Sequence, residues 1–145
     1  MMVRWMLLML SMMGLVSCSV YDVNELEFED YAAMSVGSDL LPTGWVPSIV
    51  PLSAKDIHIK RDMSNGLTLL RFAGKADIDA QLKARCLVAP SERIAWPWMT
   101  ARWWPEGFER PNDYFLATHT FYYCDPFKAY FAVHREKDAA FMWRV

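Results

Sequence analysis

The sequence predicts an α+β fold: one small domain, with an antiparallel sheet, a C-terminal three-stranded meander and one or two covering helices. Three observations predict it. HTFYYC, AYFAVH and AAFMWR are short strand-like runs over residues 119–144, separated by the polar, turn-sized linkers Asp125–Lys128 and Arg135–Asp138. Asp56-Ile57-His58-Ile59-Lys60 alternates like a strand, and Leu67 to Phe72 is a second, with Asp62 to Gly66 as the turn between them. Between these strand groups, Lys75 to Ala89 carries Ile78, Leu82 and Cys86 on one helical face, and Pro90 stops it.

At the N-terminus, the uncharged stretch from Trp5 to Ser17 would measure about 20 Å as a helix, against a bilayer core of about 30 Å. Asp22, Glu25, Glu27, Glu29 and Asp30 follow at once, which excludes a membrane span. A positive start with Arg4, an apolar run and small residues read instead as a signal peptide over 1–17. Leu15-Val16-Ser17-Cys18 resembles the lipobox of bacterial lipoproteins, in which the cysteine thiol accepts a diacylglyceryl group and the chain is cut before it. The resemblance implies lipidation at Cys18, membrane attachment through that lipid, and residence in the bacterial cell envelope. Ser19 in place of Asp implies the outer membrane, facing the periplasm. An ordinary signal peptide and an uncleaved core helix are the competing readings.

Removal of residues 1–17 takes Arg4 from the 15 basic side chains, leaving 14 against 17 acidic ones. The basic residues are scattered, so no patch for nucleic acid is expected. Cys18 aside, an exported domain with Cys86 and Cys124 reads as carrying one disulfide. Two separate buried thiols are the alternative, and two cysteines without neighbouring ligands make a poor metal site.

Residues 18–30 read as a tether, and 31–145 as the domain. Asn24-Glu25-Leu26-Glu27 has the look of a capping box, and with Phe28, Tyr31, Ala32 and Ser35 it predicts a short helix over 25–36 that stops at Gly37. Pro42, Pro47 and Pro51 then impose an extended segment, which Trp45, Ile49 and Leu52 are expected to anchor. Residues 90–118 read as a long, irregular, aromatic region holding four of the seven tryptophans.

Gly44-Trp45-Val46-Pro47, Val50-Pro51-Leu52-Ser53-Ala54-Lys55-Asp56-Ile57, Arg61-Asp62 and Leu70-Arg71-Phe72, with the closing Tyr-Cys, Ala-Val and Phe-x-Trp-Arg runs, are similar to a family of small uncharacterised bacterial lipoproteins. Mature domains of that family open with Gly-Trp-[Ile/Leu/Val]-Pro, continue with Pro-x-Ser-Ala-x-[Asp/Asn]-Ile and reach a strand ending in Arg-Phe. The resemblance spans roughly residues 31–145 and brings no activity with it.

Candidate chemistry is sparse. His58 reads as a surface or satisfied strand histidine, and His119 and His134, on adjacent strands, are too few for a metal. No nucleophile elbow, phosphate-binding glycine loop or His-Glu-x-x-His stands in the chain, so no catalytic residue, metal or cofactor is assigned. Glu106, Glu109 and Asp113 crowd the aromatic region without a pattern that selects a catalytic pair. Trp96, Trp98, Trp103 and Trp104 read first as core or loop packing, since tryptophans hide large areas; a binding surface is the alternative, because exposed indoles stack on sugars. The expected function is a non-catalytic interaction or structural module with an envelope protein or glycan as partner. A glycan-binding or weakly hydrolytic cell-wall domain using the Trp96–Trp104 loop is the alternative.

Cys18→Ala is expected to abolish fatty-acid labelling of the protein in a bacterial host and to leave the precursor uncut. Gel mobility with a labelled fatty acid reads both outcomes, and normal processing of the variant would sink the assignment.

Overall fold

The computed structural model describes residues 22–108 and 112–145. Cys18, the signal segment, the start of the tether and Glu109 lie outside the described residues. Seven strands form one sheet in the order β1-β2-β3-β7-β6-β5-β4, every neighbouring pair antiparallel. The strands are β1 (Val23–Asp30), β2 (Lys55–Asp62), β3 (Thr68–Ala73), β4 (Leu87–Val88), β5 (His119–Cys124), β6 (Ala129–His134) and β7 (Ala140–Arg144). Three helices join them: α1 (Tyr31–Gly37), α2 (Lys75–Arg85) and α3 (Asp113–Thr118). The α+β class and the C-terminal meander β5–β6–β7 are as expected. No described helix is long and apolar enough to cross a membrane.

The helix expected over 25–36 is replaced by strand β1 followed by the shorter α1, so the sheet begins at Val23, inside the stretch read as a tether. The physical reason is a period of two. Leu26 and Phe28 turn towards the core while Glu25, Glu27 and Glu29 stay outside, and β1 pairs with β2 from Val23↔Asp62 to Asp30↔Lys55. A ladder of that length outweighs one capping box. Asp30, not Asn24, caps the helix, its Oδ1 accepting from the Ala33 amide at 2.8 Å. The glutamates also protect an open sheet edge from pairing with other chains.

The sheet is buried on both faces. One face carries Ile57, Ile59, Leu70, Phe72, Phe131, Val133 and Met142, covered by α1, α2 and the proline-rich segment 38–54. In that segment Leu40, Val46, Ile49 and Val50 are the anchors and Trp45 is half-buried, whereas Leu52 is 81% exposed and anchors nothing. Pro51 closes a turn in which the Ala54 amide donates to its carbonyl, and this turns Leu52 outward. Arg144 Nη1 donates to the Gly44 carbonyl at 2.9 Å and Nε to that of Phe127 at 3.1 Å. The Arg61 guanidinium lies 5.2 Å from the centre of the Trp45 ring. The Gly44-Trp45-Val46-Pro47 stretch is thus held by two arginines reaching from the strands.

The other face carries Leu69, Phe121, Ala132, Phe141 and Trp143, covered by the irregular region 89–116, which places Ile94, Met99, Trp104, Phe108 and Phe115 on it. Trp143 Nε1 donates to the Ala95 carbonyl at 2.7 Å, pinning this layer to the centre of the sheet. Helix α3 inside this region was not expected; Asn112 caps it, accepting from the Phe115 amide at 2.9 Å.

Helix α2 buries Ile78 and Leu82 as expected, but ends at Arg85 rather than near residue 89. Cys86 is extended because its sulfur is bonded to Cys124, and Leu87 and Val88 then pair with Tyr123 and Tyr122. The disulfide joins the end of α2 to the end of β5 across a separation of 38 residues. Asp138 caps the other end of α2, accepting from the Gly74 and Lys75 amides at 2.8 and 2.7 Å.

Replacing both Cys86 and Cys124 by Ser is expected to lower the unfolding free energy by about 4 kcal/mol on the loop-entropy model. Denaturant titration of the oxidised wild type against the double variant measures the difference.

Candidate functional site

The four tryptophans named from the sequence do not form one platform. Trp104 is 5% exposed and meets Phe108, Phe141 and Trp143 edge-on at 5.4–6.1 Å. Trp96 stacks on Trp143 at 5.9 Å. Trp103 is half-buried and its Nε1 donates to Glu25 Oε1 at 2.5 Å. Trp98 alone presents its ring, with 69% of its surface open. Of the carboxylates nearby in sequence, Glu106 and Asp113 are exposed.

Over β1 and β2 the aromatic layer stops, and a polar cluster that the sequence did not announce takes its place. It begins with a bulge: Asp56 and Ile57 stand opposite the single residue Phe72, between the pairs Lys55↔Ala73 and His58↔Arg71. Asp56 adopts φ +49, a left-handed conformation that Asp tolerates better than most residues. Its carboxylate then reaches His58 Nε2 at 2.9 Å through Oδ1 and Arg71 Nη2 at 3.2 Å through Oδ2. Glu27 Oε1 lies 3.2 Å from His58 Nδ1 without a hydrogen bond, which leaves that buried nitrogen without a partner among the described residues. Trp103 leans on the imidazole, ring centres 5.6 Å apart. A hollow of about 420 Å³ opens beside the cluster, lined by Glu27, Glu29, Lys55, Asp56 and His58. Of these side chains Asp56 and His58 are bonded to each other, and no hydroxyl or thiol stands among them. The Asp56 contacts to His58 and Arg71 fasten β2 to β3.

A second arrangement is buried. His119 and His134 face each other across the β5–β6 ladder, 3% and 7% exposed, with ring centres 4.7 Å apart. Thr118 Oγ1 donates to the Tyr114 carbonyl and so can only accept from His119 Nδ1, at 3.0 Å. That leaves His119 Nε2 as a buried acceptor without a partner among the described residues. His134 Nδ1 accepts the Glu136 and Lys137 amides at 3.1 and 3.0 Å, so its proton sits on Nε2. A metal on His134 Nε2 would force a proton onto Nδ1 and break that turn. Among the described residues no group of three His, Cys, Asp or Glu side chains is placed to hold a metal.

Burial pushes the His119 imidazole down to about 4, with His134 adding repulsion, and burial also lowers His134. The pair is a neutral part of the aromatic core. Cys86 and Cys124, bonded to each other, provide no free thiol.

No protein-family model, curated protein or solved structure matches the chain.

Two predictions follow from burial. Trp104→Ala is expected to cost about 3–5 kcal/mol of stability, and Trp98→Ala less than about 0.5 kcal/mol; paired denaturant melts decide it. For His119, the unfolded chain binds a proton below the ordinary imidazole value of 6.5, while the folded chain resists until about pH 4. Stability is therefore full above pH 6.5 and is lost as pH falls through that window. The melting temperature should drop over this range, and His119→Leu should make the drop shallower.

Proposed function

We propose that the chain is a lipid-anchored domain of the bacterial cell envelope, held at the periplasmic face of the outer membrane through Cys18, that acts by contact with an envelope partner. The observation that carries this reading is Leu15-Val16-Ser17-Cys18 at the end of an apolar run too short to span a bilayer. The likeness to small bacterial lipoproteins over residues 31–145 agrees with it. A disulfide suits an oxidising compartment such as the periplasm.

Contact is favoured over turnover by where the polar chemistry goes. The Asp56–His58–Arg71 cluster bonds to itself, and the histidine pair is buried in aromatic rings. Three of the four loop tryptophans pack against the sheet or its edge, which weakens a glycan platform and leaves Trp98 as a single open ring. A tether that keeps the domain near one surface raises its effective concentration there and makes weak contacts sufficient.

Photo-crosslinking from position 98 in intact cells tests this. Adducts with an envelope component are expected, falling at least about tenfold when a cleavable, non-lipid signal peptide replaces residues 1–18. Equal adducts from the untethered form would overturn the role of the anchor. Hydrolysis of cell-wall glycan by the purified domain would overturn the contact reading.

A further inference from the structure

We propose that the domain stands on the membrane by one end of its sheet, with Val23, Met63 and Val145 against the lipid headgroup layer. This orientation rests on the Cys18 anchor proposed above. It starts from chain reach: five residues lead from Cys18 to Val23, the first residue of β1, and extend to at most about 18 Å. The end of the sheet that carries Val23 is therefore the end nearest the lipid.

Three exposed apolar side chains lie at that end. Val23, Met63 and Val145 are 37%, 51% and 60% exposed. The strand register makes them neighbours along one edge. Val23 pairs with Asp62, and the Met63 amide donates to the Asp22 carbonyl at 2.9 Å. The Asp62 amide donates to the Leu67 carbonyl, and Thr68 pairs with Arg144, which brings Val145 level with Leu67. Strands β1, β2, β3 and β7 are adjacent, so the row spans about 15 Å at the usual strand spacing.

The turn at this end draws the Asp62 carboxylate inward, while Ser64 and Asn65 stay exposed beside Met63. Asp62, 7% exposed, accepts from the Ser64 hydroxyl at 2.6 Å, the Ser64 amide at 2.9 Å and Asn65 Nδ2 at 2.9 Å. Met63 is left pointing out of a turn whose carboxylate is already satisfied. An exposed Lys128–Asp125 pair flanks this row, and the opposite end of the sheet, where Leu52 is exposed, is more densely charged. There Lys55, Lys75, Asp77, Glu136 and Asp138 surround an open hollow of about 450 Å³. The eight residues of β1 separate the two ends by about 27 Å. A headgroup layer receives apolar side chains more readily than a ring of charges, and the tether brings the apolar end to it.

Full-length protein, processed in a bacterial host, tests the orientation with single fluorophores on Met63→Cys and on Glu136→Cys. Both positions are exposed, and the native pair Cys86–Cys124 is bonded. In phosphatidylethanolamine–phosphatidylglycerol vesicles doped with a nitroxide-headgroup lipid, the label at 63 should be quenched about threefold more than that at 136, the headgroup layer being thin against the length of the domain. Val145→Cys and Lys137→Cys form a second pair with the same expected contrast. Protein that floats with the vesicles but is quenched equally at both ends, or more at 136, overturns the orientation and leaves the anchor intact. Protein that fails to float overturns the anchor, and the orientation with it.

Discussion

A sheet covered on both faces leaves almost nothing of its central strand β7 for solvent, and that constraint shapes the rest of this molecule. In β7, Met142 goes to one core and Trp143, its neighbour, to the other, both fully buried. One core is closed by helices and a proline-stiffened segment. The other has, among the described residues, the short α3 and one 3-10 turn at Ser91–Arg93, and is closed largely by irregular chain, which brings little area per residue unless its side chains are very large. Tryptophan and phenylalanine supply that area. Trp96, Trp104 and Phe108 meet Trp143, Phe121 and Phe141 mostly edge-on or tilted, the packing that ring quadrupoles favour, and Phe115 packs edge-on against Phe108. The concentration of aromatics over 96–108 is the physical consequence of covering a sheet face with few helical residues.

Irregular covers carry unpaired backbone carbonyls, and side chains from the strands satisfy several of them. Arg144 serves Gly44 and Phe127, Trp143 serves Ala95, and Tyr130 Oη serves Arg93. The motif residues of the lipoprotein resemblance fall into place here. Gly44 adopts φ +77 and offers its carbonyl to Arg144, Trp45 lies beneath Arg61, and Arg71 holds Asp56 in its bulge. Each of these contacts ties one segment of the fold to another.

Much of the architecture was legible because periodicity reports burial. The meander could be read from three short runs with polar gaps, and the β2–β3 hairpin from alternation around Asn65-Gly66. Strand β1 was missed although Glu25, Glu27 and Glu29 alternate with Leu26 and Phe28, because a cap signature and a strand signature overlapped on the same residues. The early end of α2 was hidden because a disulfide, not a helix stop, decides the conformation at Cys86. The roles of the tryptophans were out of reach of sequence, since whether an indole is covered depends on strands distant in the chain. The Asp56 bulge was equally hidden: it appears only when the β2–β3 register slips by one residue between Lys55 and His58.

Strand order has a further consequence. The strand made latest in chain order, β7, lies in the middle of the sheet, between β3 and β6. Until residues 140–144 arrive, β1–β2–β3 and β6–β5–β4 are two unconnected ribbons, each with an unpaired inner edge and neither core closed. Pairing Thr68 with Arg144 bridges most of the domain's length, so the decisive contacts are non-local and their loop-closure entropy is met late. A chain arranged this way can close neither core until its central strand is in place.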